Sequence, residues 1–230
     1  MKDIMCDSVF FGVTVSILSY ELGMFLRKKL KLVIFNPLLV SIVAVILLLL
    51  AFKVDYKSYN EGAKYLSYLL TPATVCLAIP LYEQLELLKN NMKAIMIGLI
   101  SGVLTSLSCI FAFSMLFHLS HQEYVTLLPK SITTAIGMGV SEELGGIVTI
   151  TVTVIIITGV IGNMIAELEC KLLHIEEPIA KGIAIGSASH AIGTAKAMEM
   201  GEIEGAMSSL SIAVAGLLTV VGASIFANFM

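Results

Sequence analysis

Long apolar runs separated by short charged segments dominate the hydrophobic pattern of the 230-residue chain. A bilayer crossing takes about 20 predominantly apolar residues, so these runs predict membrane-spanning helices. Six mainly apolar spans cover residues 6–26, 32–52, 65–82, 94–117, 146–166 and 206–229, and two less regular ones cover 127–143 and 182–200. The pattern predicts an all-α integral membrane protein of seven to eight transmembrane helices, some broken or re-entrant, with a possible internal two-helix repeat.

The span at 127–143 differs from the plain apolar ones in its small and polar residues. It carries Pro129, Ser131, Thr133, Thr134, Gly137, Gly139, Ser141, Glu142 and Glu143. Proline and glycine disfavour a continuous helix. In hydrocarbon, irregular backbone is tolerated only where it lines a protein-enclosed or water-filled cavity. We therefore predict a broken helix here that lines a solute site, with Pro129 as a helix-breaking residue.

The span at 182–200 is the second unusual segment. It carries Ser187, Ser189, His190, Thr194 and Lys196 between glycines and alanines, and Asn163 lies near the end of the preceding span. A histidine or a lysine at membrane depth is costly unless it faces a cavity or a partner. These residues are therefore further candidates for the binding of a substrate or an ion.

An internal similarity connects the first irregular span with residues 65–82, where Pro72 and Pro80 interrupt the helical hydrogen bonds twice. A shift of 59 residues aligns residues 69–85 with 128–144. It pairs Thr74 with Thr133, Ala78 with Gly137, Glu83 with Glu142 and Leu85 with Leu144. Chance similarity between membrane helices is the alternative explanation. Paired interrupted helices in two repeats indicate a transporter binding site, which makes Thr74 a candidate as well.

Composition agrees with a membrane protein, since 57% of the residues are hydrophobic and 13% are charged, against roughly 25% charged in soluble domains. The spans leave no room for a soluble domain, so residues 1–230 are expected to form a single polytopic domain in contact with membrane lipid. The formal charge of -3, without a charged tail, argues against nucleic acid as a partner.

Basic residues follow the first span directly, at Arg27, Lys28, Lys29 and Lys31. Because cytoplasmic loops carry an excess of basic residues, this loop is expected in the cytoplasm and the N-terminus outside. The first span lacks the features of a cleavable signal, so we expect it to be retained.

Familiar enzyme motifs are absent from the sequence. We find no Ser-His-Asp order, Walker loop or dinucleotide fingerprint, and the cysteines and histidines lack metal-ligand spacing. We therefore expect no enzyme activity, no cofactor and no metal.

The two irregular spans instead offer hydroxyl groups, lysines and the free N–H groups of half-helix N-termini. This combination suits a small carboxylate, because helix N-termini carry partial positive charge. Lys130 or Lys196 would supply a compensating charge, and the alternative for Lys130 is a side chain that extends to the interface.

Three titratable residues, Glu142, Glu143 and His190, are candidates for proton coupling, because a carboxylate desolvated in a helix break takes up a proton more readily. In the alternative interpretation, residues 141–143 cap the following helix.

Four segments of the chain resemble the LrgB/CidB family of bacterial inner-membrane proteins. They are FNPLLVSI (35–42), YLLTPATVCLAIPLYEQ (68–84), LLPKSITTAIGMGVSEELGG (127–146) and GIAIGSASHAIGTAKAMEMGEIEGAMSSLSI (182–212). The resemblance implies a multi-pass protein of the bacterial cell (inner) membrane with a smaller LrgA/CidA-type membrane partner. It also implies a relation to the membrane half of the plastidial glycolate/glycerate transporter.

Two functions follow from this resemblance and from the residues. The first is secondary transport of small carboxylates of the pyruvate/glycolate class, possibly coupled to protons. The second is antiholin-like regulation of murein hydrolase activity and autolysis, in which a homo-oligomer forms through glycine-rich faces at Gly98 and Gly102. Broken helices with buried hydroxyl and acidic groups favour transport, because a regulator of a membrane lesion has no need of them.

Overall fold

A computed structural model describes residues 10–30, 35–76 and 78–230 of the chain. These residues form α-helices joined by short turns, with no strand among them. The chain divides after Cys76 into two compact units, and each is described by itself below. The prediction of an all-α membrane protein is confirmed.

The first unit contains α1 (Phe10–Leu30), α2 (Pro37–Phe52), α3 (Tyr56–Ser67) and α4 (Leu70–Cys76). Helix α1 packs against α2 and α3. Gly12 allows the close approach to α3, because a Cβ there would collide with the backbone of Tyr59 and Ala63. Next to this contact, the hydroxyls of Ser16 and Tyr59 lie 2.7 Å apart.

Helix α3 corrects the expectation of a loop at residues 53–64. Asp55 caps the helix by accepting a hydrogen bond from the backbone N–H of Lys57 at 3.1 Å, and it sets the N-terminus at Tyr56. Side-chain capping of this kind stabilises a helix start by about 1 kcal/mol.

The predicted span 65–82 is divided between α4 and a second short helix, α5 (Ala78–Glu83). Pro72 and Pro80 each stand third in their helix, where the missing N–H removes no intrahelical hydrogen bond. Thr74 lies in α4, and its side chain is outside the described part of the structure.

Residues 78–230 contain three long apolar helices, α6 (Leu85–Leu116), α9 (Val148–Leu172) and α11 (Glu202–Phe226), the last followed by a 3₁₀ turn. With α1, these are the helices of the described chain that are long and apolar enough to cross a membrane, and α2 is a shorter apolar helix. The count of seven to eight crossings is therefore not confirmed.

The irregular span 127–143 belongs to a hairpin of two short helices, α7 (His121–Leu127) and α8 (Thr134–Glu143). The C-terminal ends of both helices meet the start of α9. The Thr126 hydroxyl accepts a hydrogen bond from the N–H of Ile147 at 2.8 Å, and the hydroxyls of Ser141 and Thr151 lie 2.7 Å apart. The chain between Thr126 and Ser141 therefore leaves the start of α9 and returns to it, and residues 121–147 are called the first hairpin below.

The other irregular span lies in α10 (Pro178–Met200), which also folds back on itself. His190 has φ 42° and ψ −143°, values that no helix contains. A Cβ placed on Gly193 would lie 3.3 Å from the carbonyl oxygen of Ile185. Residues eight apart in a straight helix are about 12 Å apart, so the arms 178–189 and 191–200 form a second hairpin.

The two hairpins enter the bundle from opposite ends. Thr126 and Ser141 of the first hairpin lie beside the N-terminal turn of α9, whereas the second arm of the other hairpin ends beside the last turns of α9, where Lys196 pairs with Glu167. These two ends lie at opposite ends of α9, a helix that is long and apolar enough to cross a bilayer. Within residues 78–230, three helices are long and apolar enough to cross a membrane, and two hairpins fold back on themselves.

Apolar packing fixes each hairpin between the crossing helices α6 and α11. Around the first hairpin, one buried cluster contains Val103, Leu107, Ile110, Tyr124, Val125, Leu128, Ile132, Ala215 and Ala223. At the base of the second hairpin, another contains Leu88, Ile95, Leu99, Ile183, Ala206 and Met207. These two clusters hold apolar side chains of the hairpins against α6 and α11. The polar tips of the hairpins then face the middle of the bundle.

The two-hairpin topology predicts the sidedness of four exposed positions in a cysteine-free background. Single cysteines at Gln122 and Glu143 are expected to react with a membrane-impermeant maleimide from one side of the membrane. Cysteines at Glu176 and Glu202 are expected to react from the other side. Labelling of intact cells and inverted vesicles measures this, and reaction of Gln122→Cys and Glu143→Cys from opposite sides would contradict the first hairpin.

Candidate functional site

A cavity of about 860 Å³ lies between α6, the turn of the first hairpin and the first arm of the second hairpin. At one end it is lined by the first turns of α6 and α10, and at the other by the hairpin turn. Its polar lining comprises Asn91, Ser101, Thr105, Ser106, Cys109, Lys130, Ser131, Glu177 and Ser187. The apolar cluster around the first hairpin borders the cavity at this turn, and part of the lining, including Ser101, Thr105 and Cys109, is exposed along the side of the bundle.

The inner end of the cavity is formed by the turn of the first hairpin. The ammonium of Lys130 donates a hydrogen bond to the Ser131 hydroxyl at 3.0 Å, and the hydroxyls of Ser131 and Ser106 lie 3.2 Å apart. Ser106 stands midway along the apolar span 94–117, roughly 18 Å from its start. The lysine therefore lies about midway along the apolar part of α6.

Pro129 places this lysine, since it is fully buried in the turn that joins α7 to α8. The helix that leads into this turn, α7, begins with a capping box, in which Ser120 and Glu123 form reciprocal hydrogen bonds. These hydrogen bonds, from the hydroxyl and then the backbone N–H of Ser120, lower the pKa of the Glu123 carboxyl. The first hairpin thus has a rigid start and a buried tip.

Helix α9 receives the tip of the second hairpin at His190, which is buried and whose Nε2 lies 3.0 Å from the carbonyl oxygen of Ile155. Since a carbonyl only accepts, this nitrogen carries the proton. Glycines on α9 make room, because a Cβ at Gly159 would lie 2.7 Å from the His190 ring and one at Gly162 would collide with Ser189.

Further hydrogen bonds hold the second arm of this hairpin against its neighbours. The Asn163 amide of α9 donates to the carbonyl of Ile192 at 2.7 Å. Thr194 lies 2.7 Å from the hydroxyl of Ser208 on α11, and both side chains are buried. Asn163 and Thr194 therefore fasten the hairpin and do not face the cavity.

The two tips meet at the centre of the bundle. Ser187, three residues before His190, lines the same cavity as Lys130. Gly137 at the start of α8 touches Ile155, the residue whose carbonyl binds His190. Interrupted backbone from both hairpins thus converges beside the cavity.

Lys196 occupies a different place, at the base of the second hairpin. It pairs with Glu167 at 3.1 Å and with Glu199 at 3.4 Å beside a smaller cavity of about 520 Å³ that also receives Lys181 and Glu204. Its charge is neutralised there, so of the two lysines considered as the compensating cation, Lys130 is the one at the main cavity.

The remaining candidates lie along α8. Glu142 and Glu143 are exposed at its C-terminal end, and Gly139 is exposed midway. Thr133 is the N-cap residue of α8, and its hydroxyl makes no capping hydrogen bond. Thr134 begins the helix and is half-buried.

The capping alternative for residues 141–143 does not hold. The residue at the N-cap of α9 is Ile147, without a side-chain cap, and the buried Ser141 hydroxyl bonds Thr151 instead. No group of three or more His, Cys, Asp and Glu side chains suited to a metal occurs among the described residues.

Sequence reasoning missed two features of the site. The hydroxyls of α6, chiefly Ser106, were not among the predicted site residues. The equivalence of the two hairpins was also missed, although a shift of 56 residues shows it. That shift aligns Ser131 with Ser187, Ala135 with Ala191, Ile136 with Ile192, Gly137 with Gly193, Glu143 with Glu199 and Gly145 with Gly201.

Fold and site together define an α-helical integral membrane protein with two hairpins beside a polar cavity. The chain belongs to the LrgB-like family, whose model matches residues 16–229. It is 37% identical over 222 residues to antiholin-like protein LrgB of Bacillus cereus (strain B4264) and to that of Bacillus anthracis (strain CDC 684 / NRRL 3495), with 96% of each chain covered. No solved structure matches.

The close contact at Gly162 generates a stability prediction. Gly162→Ala places a methyl group against Ser189, and we expect it to destabilise the protein by about 1–3 kcal/mol, as overpacking does. Gly139→Ala is the matched control in a helix, since its Cβ meets nothing within 4 Å. Thermal melting of the detergent-purified variants measures the effect, and equal melting temperatures would contradict the placement of the second hairpin on α9.

Proposed function

We propose that this protein is a secondary transporter of small carboxylates. The observation that carries the proposal is the meeting of two re-entrant hairpins, inserted from opposite ends, at a polar cavity near the middle of the bundle. Discontinuous helices at the membrane midplane, arranged in inverted repeats, are how many secondary transporters build their substrate sites.

The inverted arrangement supports the proposal further. Each repeat would consist of one crossing helix followed by one hairpin, so that α6 with the first hairpin corresponds to α9 with the second. An odd number of crossings per repeat inverts the second repeat relative to the first. Two similar half-sites facing opposite sides allow a carrier to expose one central site alternately to each side.

The lining of the cavity suits a small carboxylate. The Lys130 ammonium is a hydrogen-bond donor beside the hydroxyls of Ser131 and Ser106, and charge-assisted bonds to a carboxylate are the stronger kind. The Ser187 hydroxyl in the same lining donates to the Ile183 carbonyl at 2.7 Å. The acidic residue of the lining, Glu177, precedes α10 at the opposite end of the cavity. The volume falls within the range of about 300–1,000 Å³ found for small-molecule sites.

Proton coupling through His190 belongs to the same proposal. The imidazole is buried at the hairpin tip and has one hydrogen-bond partner, so movement of the tip would change its environment together with that of the cavity. Glu142 and Glu143 are exposed at the end of α8 and would act, if they carry protons, at the membrane face.

The setting of the transporter is proposed from the family resemblance and from the loop charges. We place the protein in a bacterial cell membrane with the N-terminus outside. A small LrgA/CidA-type membrane protein is its proposed partner, and a homo-oligomer its proposed assembly state.

Filling the cavity is expected to abolish transport. Gly102 faces Ser187 across the cavity, with 3.3 Å between a Cβ built on it and the Ser187 hydroxyl, so Gly102→Leu would occupy the substrate space. Gly139→Leu enlarges a helical glycine that faces open space and is the matched control. We expect wild type and the control to exchange radiolabelled pyruvate, lactate or glycolate across proteoliposomes, and Gly102→Leu to lose at least about 90% of this exchange.

A pH gradient of either sign in the same assay tests proton coupling. Absence of exchange of all three acids by inserted wild-type protein would contradict the transport function.

Antiholin-like regulation remains the second candidate, because the relatives from Bacillus cereus and Bacillus anthracis bear that name. The sequence placed its oligomer contact at Gly98 and Gly102. Both glycines instead face the first arm of the second hairpin in the same chain, at Ile183 and Ser187. This leaves the glycine face of α6 unavailable for contacts between copies.

Autolysis assays separate the two functions. If regulation of lysis depends on transport, Gly102→Leu is expected to fail to complement a deletion strain, whereas Gly139→Leu complements it. Full complementation by a transport-inactive Gly102→Leu protein would favour the regulator.

A further inference from the structure

We propose that Lys130 is the anion-binding group of the cavity and that its single charge restricts the cargo to monocarboxylates. The inference rests on the proposed transport function. It adds the residue that binds the substrate and a limit on the charge of that substrate. Its basis is one ammonium that binds the Ser131 hydroxyl, next to Ser106, in the lining of a cavity midway along the apolar part of α6.

The position of the ammonium is fixed from both sides. Pro129 and Ser131, its neighbours in the chain, are buried, and Ser131 is within hydrogen-bond distance of Ser106 on α6. From this depth a lysine side chain is too short to reach either membrane surface, so it cannot be one that merely extends to the interface. One of its three N–H groups is used by Ser131, and the others are available to a ligand.

The ammonium also lacks a counter-charge in the described part of the chain. The ion pairs found there involve Lys64, Lys171 and Lys196, and none involves Lys130. Glu177 lies ten residues before Ser187 along α10, which corresponds to roughly 15 Å of helix. A cation at membrane depth is expensive unless it is paired or hydrated, and a bound carboxylate would neutralise it.

The same electrostatics limits the charge of the cargo. One carboxylate cancels the lysine and leaves the occupied cavity neutral. A second carboxylate would meet only hydroxyls and apolar side chains, and its charge would remain uncompensated at the centre of the membrane. Dicarboxylates of similar size should therefore bind much more weakly than monocarboxylates.

The chain contains a native probe of this site in Cys109, an exposed thiol that lines the cavity beside Lys130. With the other three cysteines replaced by serine, the rate of Cys109 alkylation reports occupancy without requiring transport. Lactate and malonate serve as ligands, because at neutral pH they are similar in size and carry one and two charges. Malonate is tested at matched ionic strength.

We expect lactate to slow Cys109 alkylation and malonate to do so only at concentrations at least about tenfold higher. Lys130→Gln should raise the half-protecting concentration of lactate by roughly 10- to 100-fold, as loss of a charge-assisted hydrogen bond implies. Lys130→Arg keeps the charge and should retain protection. Lys196→Gln, which removes a lysine from the other cavity, should leave protection unchanged.

A second readout uses the charge of the labelling reagent. In the ligand-free wild type, an anionic methanethiosulfonate should react with Cys109 faster than a cationic one of similar size, because a cationic cleft concentrates anions by about tenfold or more. Lys130→Gln should remove that preference. Retained lactate protection in a folded Lys130→Gln protein, or equal protection by malonate, would overturn the inference.

The experiments distinguish failure of the transport function from failure of the Lys130 inference. In that case lactate would protect Cys109 in a Lys130-dependent manner while proteoliposomes showed no exchange. Conversely, exchange that survives Lys130→Gln would overturn the role of the lysine and leave transport intact.

Discussion

The satisfaction of backbone polar groups at membrane depth is the constraint on which this structure depends. Two chain reversals lie near the middle of the bundle, and hydrocarbon provides no hydrogen bonds to their peptide groups. Helix α9 supplies much of what is needed, since its Asn163 amide binds the Ile192 carbonyl and its Ile155 carbonyl binds His190. At its first turn, the N–H of Ile147 is bound by the Thr126 hydroxyl. Re-entrant backbone is thus tolerated here because a single crossing helix contacts both hairpins.

The small residues follow from the same constraint. A hairpin fits among crossing helices only if backbones approach closely, and in membranes glycine and serine make such interfaces possible. A Cβ at Gly186 would collide with the carbonyl of Ser208 on α11, as one at Gly162 would with Ser189. The hydroxyls that remain then serve two purposes: those at Ser141, Thr151 and Thr194 bond within the protein, whereas Ser106 and Ser187 line the cavity. The amino-acid composition alone does not distinguish the hydroxyls that bond within the protein from those that line the cavity.

Sequence reasoning identified the all-α membrane class and the two segments whose backbone is irregular, because Gly, Pro and hydroxyl content at membrane depth is visible in one dimension. It did not predict that both segments turn back. Residues 182–200 are less apolar than the long spans, and the helix that contains them is not among the described helices apolar enough to cross a membrane. Their polarity did not reveal that the chain reverses at one residue, His190. The sequence also left the choice between Lys130 and Lys196 open, because Glu167, the neutralising partner of Lys196, lies 29 positions away in the chain. The 56-residue repeat does indicate the second reversal in the sequence, because it aligns His190 with Thr134, which follows the turn of the first hairpin.

The asymmetry between the two halves bears on how the proposed carrier would work. The cavity reaches the bundle end at which α6 and α10 begin, while the opposite end is closed by fully buried Tyr124, Val125 and Leu128 of the first hairpin. In an inverted repeat the second hairpin corresponds to the first. Its tip is nevertheless held largely by hydrogen bonds, and the side that faces the cavity carries small residues such as Ala184 and Ala188. Exposing the site to the other side would require the apolar contacts of the first hairpin to loosen and those of the second to form. Because packed cores are bistable and not continuously deformable, such an exchange would proceed between two discrete arrangements.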